Sequence, residues 1–278
     1  MRLQLFILTI AFACITNAQW SRTSGPEGIS ISSVAAVNDT VYAGTETDGV
    51  FASTDDGISW FPVNSGIETQ SISVITSIPG YLFAATFGNG IYRSTDGGQT
   101  WLAPVTGGNL FVTDMAIKDA YIFAGTGSDG VYRSTDNGDN WTQLFGIYGI
   151  TSMGTSNDRV LASTSNYTFA TTDYGENWFE VTSLSGSSIW SYYSDGNLLM
   201  AGGVNEIYLS TNQGITFTTI PLNFSFGIVN IYTITKLGSD FYMGTSYDGV
   251  YKSTDNGSTW TAANEGMGPK DVRSVVST

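Results

Sequence analysis

Apolar and polar positions alternate in short bursts along this chain. Six apolar runs end in small residues: "VYAGT" (41–45), "LFAAT" (82–86), "IFAGT" (122–126), "VLAST" (160–164), "LMAGG" (199–203) and "FYMGT" (241–245). Another β-type run precedes each, such as "ISSVAAV" (31–37), "SISVITSI" (71–78) and "VNIYTITKL" (229–237). A third kind, "GVYRS" at 130–134, follows and leads into a polar string of Asp, Asn and Gly. Short runs of Val, Ile, Tyr, Phe and Thr bounded by Gly, Asn and Asp predict strands and tight turns. No long run has a helical period and no capping box opens one, so helices are not expected.

The bursts recur as a unit. The phrase "GVYRSTDNGDNW" (130–141) has relatives at "GVFASTDDGISW" (49–60), "GIYRSTDGGQTW" (90–101), "TFATTDYGENW" (168–178), "IYLSTNQGITF" (207–217) and "GVYKSTDNGSTW" (249–260). Its acidic position falls at Asp55, Asp96, Asp136, Asp173, Asn212 and Asp255, so successive gaps are 41, 40, 37, 39 and 43. Four strands in a repeat of about forty residues is the arithmetic of a propeller blade. The predicted fold class is therefore all-β, a propeller of four-stranded blades. Within the phrase, "GVYRS" is the third strand and "TDNG" the turn, where Asp and Asn bond local N–H groups and Gly138 takes a positive φ. Trp141 opens the outer strand and packs between blades. In the fifth copy Asn212 still makes the local bond, and Phe217 still fills space.

The pattern Ser/Thr-x-Asp-x-Gly-x-x-Trp resembles the Asp-box, or BNR, repeat. Its residues here are Ser53, Asp55, Gly57 and Trp60; Ser94, Asp96, Gly98 and Trp101; Ser134, Asp136, Gly138 and Trp141; Thr171, Asp173, Gly175 and Trp178; and Ser253, Asp255, Gly257 and Trp260. Sialidases, xyloglucan-cleaving glycosidases, sortilin-type receptors, a photosystem II assembly factor and many secreted bacterial proteins carry such boxes. The resemblance implies a structural role for the box, on the face away from any catalytic site.

The ends of the chain change the picture. Met1-Arg2, the apolar stretch Leu3–Ile15 and the small residues before Gln19 read as a secretory signal over residues 1–18, cut after Ala18. Lipid attachment at Cys14, the only cysteine, is the alternative. Residues 19–278 form the expected propeller domain. Trp20 lies 40 residues before Trp60 and matches an outer strand, while "DVRSVVST" matches an inner strand. Six full blades plus a partial seventh are thus expected, as a truncated or open ring, or with the extra strands at the seam of a six-bladed one.

Composition narrows function. The net charge is −14 with only ten Lys and Arg, which makes nucleic acid and anionic membranes poor partners. There is no His, which removes the usual general base and most zinc sites. "TDDG" and "TDNGD" lack calcium-loop spacing, so no metal or cofactor is expected. A monomer without a transmembrane segment in the mature chain is expected, exported to the periplasm, the cell surface or beyond.

Candidate chemistry is sparse. The Asp-box carboxylates sit on successive blades and cannot converge as a glycosidase pair. The arginine triad of the sialidase family has no counterpart among Arg22, Arg93, Arg133, Arg159 and Arg273; Arg93 and Arg133 read as exposed repeat positions. Loop acids on the opposite face are Glu46, Asp48, Glu68, Asp129, Asp248 and Asp271, with Asp114 on an innermost strand. Asp114 and Glu68 are the weak catalytic candidates for a xyloglucanase-like hydrolase. The same face is expected to carry Phe87, Tyr148, Tyr167, Trp190, Phe224, Phe226 and Tyr247, aromatics suited to stacking on sugars or anchoring a protein. The leading expectation is non-catalytic recognition of a glycan or an extracellular protein.

Overall fold

The computed structural model describes residues 20, 25, 29–104, 110–144, 146–225, 227–267 and 270–277, with backbone strands at Leu3–Leu5, Ala13–Cys14 and Asn17–Ala18. Most of the expected signal over 1–18, together with Arg22 and Phe226, lies outside the described residues.

Six antiparallel blades follow one another along the chain. Their innermost strands are Ile31–Val37, Ile72–Ile78, Val112–Lys118, Ser152–Thr155, Ser191–Asp195 and Ile231–Leu237. Each pairs in order with a second, a third and a short outer strand, and consecutive inner strands pack side by side around an axis. In blade two the outer strand is reduced to the bridge Arg93–Leu102. The one helical element among the described residues is the 3-10 turn Thr182–Leu184.

A single blade has two apolar faces and can bury neither alone, so the core lies between blades. Tyr42, Val50 and Ala52 of blade one pack with Ile72, Leu82, Ala84 and Tyr92 of blade two, and the same arrangement recurs round the ring. Burying each large side chain contributes about 1.5–3 kcal/mol. The small residues that end each second strand follow from this apposition. A Cβ on Gly44 would lie 2.6 Å from Ile72 Cγ2 of the next blade, and one on Gly125 would lie 2.4 Å from Ile150 Cγ2. The terminal Thr ties the following turn: Thr126 Oγ1 donates to the Gly130 carbonyl at 2.8 Å and accepts from Asp129 N at 2.9 Å.

The repeated phrase forms a closed local network. Ser134 Oγ donates to Asp136 Oδ1 at 2.9 Å and accepts from Gly138 N at 2.8 Å. Asp136 Oδ1 then accepts from Asn140 N, and Oδ2 from Asn140 Nδ2, at 2.9 and 2.8 Å. Asn212 reproduces this with an amide: its Oδ1 accepts from Ser210 Oγ and Thr216 N, and its Nδ2 donates to Thr216 Oγ1. The indole N–H of Trp60, Trp178 and Trp260 donates to the carbonyl of its own turn glycine, whereas that of Trp101 reaches Val63 O of the preceding blade.

Two arginines differ from expectation. Arg93 and Arg133 are not free surface positions: their side chains are 14% and 16% exposed. Arg133 donates to Tyr174 O and Glu176 in the next blade's turn, and Arg93 does the same to Asn137 O and Asp139. The third strand faces the neighbouring blade's turn, so a long cation there becomes an inter-blade clasp.

Between blades six and one no four-stranded sheet forms among the described residues. Val275–Ser277 lies there, packed against the inner strands of both blades and paired antiparallel with Leu3–Leu5, and Trp20 shares an apolar cluster with Val275.

Gly138 tests the tightness of blade apposition, because its φ is +82° and a Cβ there would lie 2.7 Å from the Phe83 ring. Gly138→Ala is expected to lose about 2–4 kcal/mol in urea unfolding, from strain plus overpacking. Gly80→Ala, at φ +83° in open space, is expected to lose only about 1 kcal/mol.

Candidate functional site

Antiparallel blades place two kinds of turn on opposite faces of the ring. The inner strand starts on one face, and the third strand ends on the other, at the turn of the repeated phrase. Residues at the start of the inner strands therefore converge at one mouth of the axial channel. A cavity of about 510 Å³ opens there, walled by all six inner strands and by Arg273 and Ser274.

The strand register puts equivalent residues at matching heights. Ser33, Asp114, Ser152, Ser191 and Thr233 all pair with the fourth residue of an apolar run such as "VYAGT". One residue earlier stand Ser32, Ser73, Thr113, Thr151, Trp190 and Tyr232. Four of these are small and polar. The two large rings are adjacent and pack edge to face, with centroids 6.1 Å apart. Arg273 lies over the Tyr232 ring at 5.8 Å and holds Glu46 at 2.7 Å across the seam. Phe87, packed on Phe111 at 5.9 Å, adds a further aromatic surface. Ser73 Oγ is buried in the wall and has no hydrogen-bond partner.

Asp114 sits in the wall of this cavity. Its Oδ2 accepts from Met153 N of the next blade at 2.7 Å, and its Oδ1 accepts from Met115 N at 2.8 Å. Ser33 makes the equivalent link with a hydroxyl, its Oγ accepting from Ile75 N at 3.1 Å. Burial pushes the Asp114 carboxyl up to about 6, against the downward pull of those two N–H groups.

The remaining sequence candidates disperse. Glu68 is exposed in the loop after the first outer strand and does not line the cavity with Asp114; its N–H donates to Tyr92 OH at 3.3 Å. Asp48 and Asp129 cap their own turns, each N–H donating to the preceding Thr hydroxyl. Asp248 is buried and accepts from Tyr251 OH and Ser225 N, and Asp271 accepts from Tyr247 N. Of the loop acids, only Glu46 joins Asp114 at the cavity. Phe87 and Trp190 line it. Tyr148, Tyr167 and Tyr247 are 66%, 49% and 61% exposed on loops outside its wall. Phe224 is folded edge-on against Tyr251 as part of the core. Tyr232, Arg273 and Phe111 escaped the sequence reading. For Tyr232 the signal was present, as a bulky aromatic in "VNIYTITKL" where "ISSVAAV" has Ser32. No three Asp, Glu, Cys or His gather as a metal site among the described residues.

This arrangement defines a β-propeller with a ligand-sized axial mouth. No protein-family model matches the sequence, and no curated protein matches it. Solved structures do. The extracellular domain of BT4673 from B. thetaiotaomicron superposes with a TM-score of 0.70 at 17% identity, over 87% of this chain and 34% of that one. YCF48 bound to a D1 peptide gives 0.69 at 16%, over 90% and 86%. The GH74 xyloglucanase from Xanthomonas campestris gives 0.70 at 17%, over 88% and 47%. The chain thus spans about a third of the BT4673 domain and about half of the xyloglucanase. At these identities the likeness is one of fold.

Two sets of carboxylates oppose each other in pH dependence. The folded pKa of Asp114 lies above the unfolded value of 3.8, so its contribution is full in acid and is lost as pH rises through about 6. The shift corresponds to about 3 kcal/mol. Asp96 and Asp173, lowered to about 2 chiefly by hydrogen bonds from Thr100 and Asn177, lose theirs as pH falls below the unfolded value. Urea midpoints are therefore expected to be highest at about pH 4–5. Asp114→Asn is expected to flatten the fall between about pH 4 and 6.5, since the amide carries no charge to desolvate; an unchanged fall would place its origin elsewhere.

Proposed function

We propose that this chain is an exported Asp-box propeller that binds a glycan or an extracellular protein at the channel mouth, without catalysis. One observation carries the reading: Trp190 and Tyr232 replace small polar residues at one ring position and sit edge to face beside the Arg273–Glu46 pair. Such a rim offers flat apolar surface together with charged hydrogen-bonding groups, the combination that recognition sites use. YCF48, a similar fold, is known bound to a peptide. No helix among the described residues is long and apolar enough to cross a membrane.

A glycoside hydrolase is the second reading, favoured by the presence of Glu46 and Asp114 on one cavity and by the likeness to a xyloglucanase. Against it, each carboxylate is engaged: Asp114 by two backbone N–H groups, Glu46 by Arg273. Neither stands free to serve as acid and base in a pair.

A glycan and peptide array, run with a hydrolysis screen on the same purified protein, tests both readings. Trp190→Ala and Tyr232→Ala are expected to weaken binding of any retained ligand at least about tenfold, as loss of a central aromatic anchor typically does. Tyr148→Ala, outside the cavity wall, is expected to change it less than about twofold. Turnover lost in Asp114→Asn or Glu46→Gln would establish the hydrolase instead.

A further inference from the structure

The wall of the axial cavity has a hydrogen-bonding bias. Ser32 Oγ donates to Ile72 O at 2.6 Å, Thr113 Oγ1 to Gly125 O at 3.1 Å, Thr151 Oγ1 to Ile189 O at 2.9 Å and Ser191 Oγ to Ile231 O at 2.8 Å. All four residues line the cavity. A hydroxyl has one proton, so each of these has given its proton to a backbone carbonyl and is left with acceptor capacity only. Ser73 differs. It is 7% exposed and lines the same cavity, and its Oγ has no hydrogen-bond partner among the described residues. Turning that hydroxyl to a ligand therefore breaks no hydrogen bond. The charged residues of the wall are Glu46, Asp114 and Arg273. Glu46 matches Arg273, which leaves one carboxylate in excess.

Two aromatic surfaces stand on this cavity, three blades apart. Phe87 belongs to blade two and is 40% exposed, and Trp190 opens the inner strand of blade five and is 36% exposed. A second ring packs on each, Phe111 on Phe87 and Tyr232 on Trp190. That packing orients both surfaces in advance and lowers the entropy cost of binding. Three ligand classes meet such a wall differently. An anion brings only acceptors and meets net negative charge. A peptide brings a carbonyl acceptor for each N–H, and those carbonyls go unpaired against hydroxyls whose protons are already used. A sugar hydroxyl both donates and accepts, so it can give its proton to the wall, while the C–H face of the sugar ring lies flat on an aromatic.

We propose that the channel mouth binds a neutral linear oligosaccharide, with one sugar ring on Phe87, another on Trp190, and the hydroxyls between them donating to the Ser and Thr side chains of the wall. This rests on the reading of the mouth as a recognition site and narrows its ligand from a glycan or protein to one class. Ser73 adds a hydroxyl proton that no backbone carbonyl holds, at the blade-two end of the site. The cavity of about 510 Å³ is of the size that small-ligand sites have.

The test is calorimetric titration of the purified protein with cellotetraose, mannotetraose and xylotetraose, beside tetragalacturonate and the peptides of the array. At least one neutral tetrasaccharide is expected to bind, with an affinity that changes less than about twofold between about 0.05 and 0.5 M NaCl. Tetragalacturonate is expected to bind at least about tenfold more weakly. Phe87→Ala and Trp190→Ala are each expected to weaken the neutral ligand at least about tenfold. Ser73→Ala is expected to weaken it about fivefold without lowering Tm, because it removes a buried hydroxyl that the protein itself leaves unpartnered. A lowered Tm with unchanged affinity would make Ser73 structural and overturn its role. Binding of no neutral tetrasaccharide, or tighter binding of tetragalacturonate, overturns the proposed class. If a peptide alone binds and Trp190→Ala abolishes it, the oligosaccharide is overturned while the mouth stands as a recognition site. A tetrasaccharide whose affinity neither aromatic variant changes overturns the mouth itself.

Discussion

Everything in this structure depends on the face-to-face contact between neighbouring blades. One four-stranded blade presents two apolar faces and a core too thin to stand alone, so each blade is stable only as a spacer between two others. The sequence meets this demand at several heights. Near the axis, Gly44, Gly125 and Gly202 let the next inner strand approach to within a missing methyl. Further out, Tyr42, Phe83 and Phe123 fill the gap. At the edge, Arg93 and Arg133 clasp the next turn, and the hydrogen-bond network of the repeated phrase holds that turn in the shape the clasp requires.

The same contact explains why a carboxylate is found in the channel wall. At the Ser33 height an inner-strand side chain can accept an N–H from the next blade, as the Ser33 hydroxyl does from Ile75. Asp114 fills that role with a carboxylate at one blade, and burial there raises its pKa. A perturbed acid in a cavity usually draws a catalytic reading. Here its hydrogen bonds give a structural account. One residue earlier on the strands, Ser32 and Thr151 still bond to the next blade, while Trp190 and Tyr232 put aromatic surface on the cavity instead.

Closure poses the harder problem. A ring removes free sheet edges only if every place is filled. Here Trp20 and Val275 share one apolar cluster beside blade six, so residues far apart in sequence meet at the seam. The Arg273–Glu46 pair spans that join and also lines the cavity, so the channel mouth and the seam share residues.

Much of this was legible beforehand. Periodicity alone specified strand count per repeat, the tight turns and the pairing of small residues with Thr, because these are local consequences of chain geometry repeated six times. Asn212 in place of the turn aspartate was readable for the same reason: the turn needs an acceptor, not a charge. The site was legible only in part. Phe87 and Trp190 fall on the expected face, but Glu68 ends outside the cavity that Asp114 lines, and Tyr232, Arg273 and Phe111 went unmarked. Which side chains reach a common cavity depends on the angle between blades and on the height of each residue along its strand. Local sequence settles the turn and the strand; only packing around the axis decides which residues from different blades stand together.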